Sequence, residues 1–249
     1  MATTITCVAD LIGAANFVRR EWNGEIWWRG QSLTSYALVA GVYRANRGTR
    51  SEQNLCLRFR QYAQTRHDYC PQQDDFCSWL FLAQHYGLPT RLLDWSESPL
   101  VALFFAANAN PSVDASLFAL HPREMNSITN GDHTLVPLTS SPATDLFRGA
   151  FDDRITEKKT VAVLSHELDK RMLVQQTAFT LHGSQHDLRE IDKREMPIRT
   201  YTVSAESKTN IIEELASLGL RRRTLFPDLA NLADDLKELV FSDIGVRTA

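Results

Sequence analysis

Apolar positions along the chain fall into runs with a helical period, separated by shorter runs that favour strands. Val8, Leu11, Ile12, Ala15 and Val18 share one face of a helix predicted over 6–22. Asn23-Gly24 marks a turn, and 25–31 (EIWWRGQ) reads as a strand because Ile26, Trp27 and Trp28 suit a pleated, buried surface. Residues 32–50 are irregular. Leu55, Phe59, Tyr62 and Ala63 predict a helix over 51–68, and Phe76, Leu80, Ala83 and Gln84 another over 75–86, with Gly87 as its C-cap. Pro99 suits the first turn of a helix over 99–108. Further strands are predicted over 114–121, 160–165, 175–183 and 197–203, and further helices over 166–174, 205–219 and 227–241. Residues 122–158 are polar and turn-rich, compatible with a long loop or an insertion carrying short helices. Helices early and late with strands between them predict an α+β chain. It reads as one domain over 1–249 with a central mixed or antiparallel sheet split by helices.

Composition narrows this little. At 249 residues, 43% hydrophobic and 23% charged, the chain has the make-up of an ordinary globular domain with a sizeable core. A net charge of −3 excludes a global basic field, so any nucleic acid must be met by a local patch. The N-terminus has no basic segment before its apolar part, and no window reaches the roughly 18 apolar residues of a membrane span. A soluble cytoplasmic protein without membrane contact is expected. Cys7, Cys56, Cys70 and Cys77 form no CxxC pair, which points to buried free thiols and no metal site, His67 and His85 notwithstanding.

The chemistry-bearing stretch is 82–108, LAQHYGLPTRLLDWSESPLVALFFAAN. Gln84, His85, Tyr86, Thr90, Arg91, Asp94 and Trp95 gather around a Gly87–Pro89 turn, directly before an uncharged apolar run. A polar cluster pinned by a turn beside a buried element describes many binding loops. The competing reading is a turn into a core helix, with Asp94 N-cap-like and Arg91 its ion partner. Upstream, Arg29 ends a strand predicted to be buried, where a charge needs a partner or a ligand, and Gly30 beside it permits close approach.

Several segments together resemble the FRG domain family. Trp28-Arg29-Gly30-Gln31 stands at the naming motif, with Trp in place of Phe, and Tyr36, Leu38 and Gly41-Val42-Tyr43-Arg44 look like the segment after it. Residues 84–106 are the strongest likeness. Residues 171–179 (RMLVQQTAF) are similar to a later motif, with Thr177 where Gly is usual, and 225–229 (LFPDL) to a C-terminal signature. The resemblance runs from about 26 to 236. The motif order also resembles, more weakly and by analogy alone, ADP-ribosyltransferases.

That second resemblance implies an ADP-ribosyltransferase-like fold and NAD as substrate. Gly30 would then offer backbone groups to the carboxamide, Arg29 or Arg44 would bind pyrophosphate, and Tyr86 or Trp95 would stack on nicotinamide. Gln31, Tyr36, Thr90 and Arg91 complete the expected cofactor-binding set. Gln175 would face the ribose, but an amide is no general base, so His85 or Asp94 would supply one. The implied function is transfer of ADP-ribose to a nucleic acid, RNA or DNA, by a toxin of anti-phage defence or of a toxin–antitoxin pair with an inhibitor protein. A non-catalytic nucleotide- or protein-binding module and an NAD hydrolase are the alternatives. Arg154, Lys158, Lys159 and Arg221–Arg223 are the candidate basic surface for the acceptor.

Overall fold

The computed structural model describes residues 4–44, 48–152, 154, 155, 158–164, 170–190 and 197–243. In chain order these form β1 (Thr4–Ile5), α1 (Val8–Glu21), β2 (Trp27–Gln31), a 3-10 turn (Gly41–Tyr43), α2 (Gly48–Ala63), α3 (Phe76–His85), β3 (Leu92–Ser96) and α4 (Pro99–Ala107). There follow β4 (Ala115–Leu120), α5 (Pro122–Asn130), β5 (Val136–Pro137), α6 (Ser141–Gly149), β6 (Thr160–Leu164), α7 (Lys170–Gln175), β7 (Thr177–His182) and β8 (Ile198–Val203). The chain then enters a second 3-10 turn (Ala205–Ser207), α8 (Lys208–Ser217), α9 (Arg222–Leu225) and α10 (Leu229–Asp243).

All eight strands join one mixed sheet in the order β1-β8-β4-β2-β3-β7-β6-β5. Its outermost pairs are parallel and the rest antiparallel. The α+β class with a mixed sheet is therefore as the sequence predicts. The sheet is not evenly knitted. β2 pairs with β4 over five residues and β3 with β7 over five, yet β2 and β3 meet only at Trp28 and Ser96. Two four-stranded halves thus share a single bridge, with a seam opening beyond it.

One face of the sheet is covered by helices. Trp28, Leu117, Ala119, Tyr201 and Val203 pack under α1, α4 and α8. Leu92, Phe179, Leu181, Val161 and Val163 pack under α2, α3 and α6. On the other face Trp27, Leu93, Trp95, Phe118 and Ala178 form a third cluster with Leu38, Met125 and Leu188. α4 is apolar all round, and Val101, Ala102, Leu103, Phe104, Ala106 and Ala107 are buried, the expected state for such a helix. Ser98, not Asp94, caps it, its Oγ accepting from the Val101 amide, and Pro99 occupies the first turn.

The structure corrects the sequence reading in two places and, over 122–158, decides for the short helices over the long loop. The turn-like stretch before α4 holds a strand, β3, at the centre of the sheet. Its apolar residues Leu92, Leu93 and Trp95 lie on both faces, so no alternation with polar residues betrays it. Residues 122–158 contain two ordered helices, α5 and α6, whose buried faces include Met125, Leu146 and Phe147. Gln175 ends helix α7 instead of opening β7, and Gln176, at φ 47°, makes the break between them. Of the helix predicted over 166–174, the part before Lys170 lies outside the described residues.

No helix among the described residues is long and apolar enough to cross a membrane. The described residues hold no group of three or more His, Cys, Asp or Glu placed to bind a metal ion.

Candidate active site at the sheet seam

A cavity of about 330 Å³ occupies the seam. Because side chains alternate along a strand, β2 and β3 line it from both faces of the sheet. Gly30, Asp94 and Ser96 come from the helix-covered face, and Arg29, Gln31 and Trp95 from the other. α3 contributes Phe81, Gln84 and His85, α4 contributes Val101, Ala102 and Phe105, and α7 contributes Arg171, Met172 and Gln175. Tyr36 and Arg44 close the side opposite the helices. The end of β2 is fixed by Lys208, whose buried ammonium donates to the carbonyls of Ser32, Ala109 and Asn110 at 2.8–3.0 Å.

Arg29 is the group that most needs explaining. Its Nη1 donates to the Asp94 backbone carbonyl across the seam at 2.5 Å, and its Nε is buried without a partner. Among the described residues no carboxylate forms an ion pair with it. Burial pulls its pKa down to about 10, the Asp94 charge opposes that shift and Arg44 adds to it. Even so, the guanidinium is cationic at neutral pH. Arg44 donates from Nε to the Val39 carbonyl and presents a second positive charge to the same cavity. Arg171 presents a third while lying over the Phe226 ring at 4.7 Å. Against three guanidiniums the lining sets one carboxylate, Asp94.

Asp94 is held, not loose. Gln84 Nε2 donates to Asp94 Oδ2 at 2.8 Å, and Thr90 Oγ1 donates to Gln84 Oε1 at 2.6 Å, which fixes the orientation of the amide. Thr90 is thus a positioning residue behind the site. Gln31 is buried and donates to the Ala37 carbonyl, but its Oε1 has no partner, a second orphaned polar atom at the cavity. Buried polar groups are nearly always satisfied in native structures, so two orphans at one cavity are informative.

Trp95 is buried, and its Nε1 donates to Thr180 Oγ1 at 3.0 Å. Thr180 Oγ1 also lies 2.9 Å from His182 Nε2, and His182 Nδ1 is buried without a hydrogen-bond partner among the described residues. Burial, with help from Arg29 and Arg44, drops the His182 pKa to about 3, so the ring is neutral behind the cationic cavity.

The remaining expected residues divide. His85 lines the cavity, whereas Tyr86 points away from it, packing against His85, His67 and Phe59. Arg91 is not in the site and does not pair with Asp94. It is buried in a two-pronged ion pair with Glu52 at 2.6 and 2.9 Å and donates to the Leu146 carbonyl. Burial works against its charge and Glu52 more than offsets this, leaving its pKa raised. Gln175 reaches the cavity, but its Nε2 is committed to the Leu225 carbonyl at 2.9 Å, and its backbone oxygen accepts from Ser96 Oγ. Gly30 is demanded by packing: a Cβ there would lie 1.9 Å from the Ala102 carbonyl oxygen and 2.5 Å from the Ala106 nitrogen. The absent side chain makes room for α4, not only for a ligand.

The basic surface predicted from 221–223 is largely spent within the fold. Arg223 pairs with Asp235, and Arg222 donates to Asn231 and lies over Phe226. Arg154 pairs with Asp152. Arg171 and Phe105, absent from the expected set, are site residues. The charge inside the RMLVQQ segment was the available signal for Arg171, while Phe105 is indistinguishable by sequence from its core neighbours in α4.

No curated protein and no solved structure matches this chain. Residues 24–115 match the family model for the FRG domain, a span that runs from β2 to the start of β4 and includes both strands of the seam. The matched span is thus similar to an FRG domain, and its Arg29-Gly30 pair forms one wall of the cavity.

Proposed function

We propose that the seam cavity binds NAD and that the protein is an NAD-dependent ADP-ribosyltransferase. The observation that carries this reading is Arg29, a buried guanidinium with an orphaned Nε and no carboxylate partner, beside Arg44. A buried charge that Asp94 offsets only in part is costly, and an anion that enters and pairs with it recovers that cost. A diphosphate suits a forked guanidinium and a second cation. The cavity volume is at the low end of small-molecule sites, roughly 300–1,000 Å³. In this reading it takes the nicotinamide, ribose and phosphate half of the dinucleotide, with the adenosine half over the rim.

The other lining groups fit the same ligand. Beyond Trp28 the seam side of β2 has no strand to pair with, so its free backbone groups and the orphaned Gln31 Oε1 match the donor and acceptor of a carboxamide. Trp95 and Phe105 offer apolar walls to a ring. Asp94, held by Gln84, faces the ribose. The C–N bond to nicotinamide breaks with its electron pair leaving on nicotinamide, and the anomeric carbon takes on oxocarbenium character that the Asp94 carboxylate stabilises. The acceptor's lone pair then forms the new bond at that carbon, and Asp94 or His85 takes its proton. In this reading the acceptor is a nucleic acid and the protein a toxin of anti-phage defence or of a toxin–antitoxin pair, restrained by an inhibitor.

A second reading, a nucleotide-binding module without turnover, is favoured by Gln175. It has no basic atom, and its amide nitrogen is occupied by Leu225. Nicotinamide release from NAD by the purified protein, with and without RNA, DNA or protein lysate, separates the possibilities. Release that requires a nucleic acid supports the transferase. Release with no acceptor indicates a hydrolase, and NAD binding without release indicates the module.

A further inference from the structure

Tyr86 leaves the cavity and joins a surface the site description does not use. His85 lines the cavity, and its ring meets Tyr86 edge-on with centroids 5.0 Å apart. Tyr86 meets His67 at 5.9 Å, and His67 Nδ1 accepts from the Tyr69 amide at 3.2 Å. Three rings in contact therefore lead from the cavity mouth to His67, and Tyr69 meets this row through its backbone amide. Tyr69 is 86% exposed, Tyr86 59% and Tyr62, at the end of α2, 52%. Arg66 lies over the Tyr62 ring at 5.8 Å and adds a cation. Such exposure is unusual for rings whose hydroxyl alone favours water.

We propose that this row is the track for the acceptor, a single-stranded nucleic acid whose bases stack on Tyr86 and Tyr69 while its leading nucleotide reaches the cavity. The inference rests on the transferase reading above. Every base has a π-face, so exposed rings in a line bind a strand with little regard to sequence, and Arg66 offers a guanidinium plane and a charge. A protein partner is disfavoured because, among the described residues, the exposed large hydrophobic side chains between 62 and 86 are Tyr62, Tyr69 and Tyr86, with no aliphatic one to form the compact apolar centre of an interface. Arg66 is a single cation and Asp68 lies two residues from it in the chain, so stacking supplies more of the affinity than phosphate contacts, and the salt dependence is shallow.

Fluorescence anisotropy of short labelled RNA and DNA single strands, without NAD, tests this. Wild type is expected to bind with Kd in about the 10⁻⁴–10⁻⁶ M range. Tyr86→Ala and Tyr69→Ala should each weaken binding about tenfold, whereas Tyr86→Phe, which keeps the π-face, should bind as wild type does. Tyr69 is 86% exposed, so the Tyr69→Ala melt should be unchanged, while Tyr86→Phe keeps the ring contacts that Tyr86→Ala loses. NAD titration of Tyr69→Ala in parallel keeps the two ideas apart. Strand binding lost with NAD binding intact supports the track. Absence of strand binding, or equal binding by all variants, overturns it whatever NAD does. Strand binding that needs the tyrosines in a protein that never binds NAD overturns the reading of the cavity alone.

Discussion

Gly30→Ala measures how tightly the seam is built. The added Cβ would sit 1.9 Å from the Ala102 carbonyl oxygen, against a closest natural approach of 3.0 Å, so α4 and β2 must part by at least about 1.1 Å. Both obstacles are helix backbone, so no side chain can rotate away. A gap of that size forfeits a quarter to a half of each dispersion contact, and six residues of α4 are buried. Overpacking alone costs about 1–3 kcal/mol, and the lost contacts carry this case to about 3 kcal/mol or more. Gly13→Ala is the control: it sits inside α1 with nothing within 4 Å, and it should stabilise by about 0.5–1 kcal/mol. Urea unfolding of the two variants and wild type provides the comparison. A Gly30→Ala protein within about 1 kcal/mol of wild type, at unchanged m-value, refutes the packing argument and returns Gly30 to a role in ligand approach alone.

Other consequences concern charge. Glu52→Gln leaves the buried Arg91 guanidinium without its counter-charge and should cost about 3–5 kcal/mol in chemical denaturation, while the double variant Glu52→Leu/Arg91→Met should recover part of that loss. His182 binds its proton near pH 6.5 when unfolded but only near pH 3 when folded, so its contribution is complete above pH 6.5 and is lost as pH falls toward 3. Wild type should therefore lose about 1.4 kcal/mol per pH unit more than His182→Gln between pH 6 and 4, and parallel curves would sink that assignment.

The sequence was legible where one period dominated. α1, α3 and α4 were predicted almost to their ends because their apolar faces repeat and because Gly87 and Pro99 punctuate them. β3 was hidden because a central strand is buried on both faces, and its Asp94 resembles a turn residue. The site divided along the same line. Arg29, Gln31, Tyr36, Arg44, His85, Asp94 and Trp95 converge on one cavity, as expected from motif residues drawn together by two adjacent strands. Thr90 and Arg91 are motif residues too, yet one orients Gln84 and the other neutralises Glu52. Residue type and position along the chain cannot distinguish a guanidinium facing a cavity from one facing a buried carboxylate. That distinction depends on α2, which brings Glu52 in from nearly forty residues away.

The most direct test is calorimetric titration of NAD into wild type and Arg29→Ala. Wild type should bind, and Arg29→Ala should bind at least about tenfold more weakly while melting no lower than wild type, since the substitution removes a buried charge that has no carboxylate partner. Failure of wild type to bind NAD, or equal affinity in a folded Arg29→Ala protein, would contradict the account.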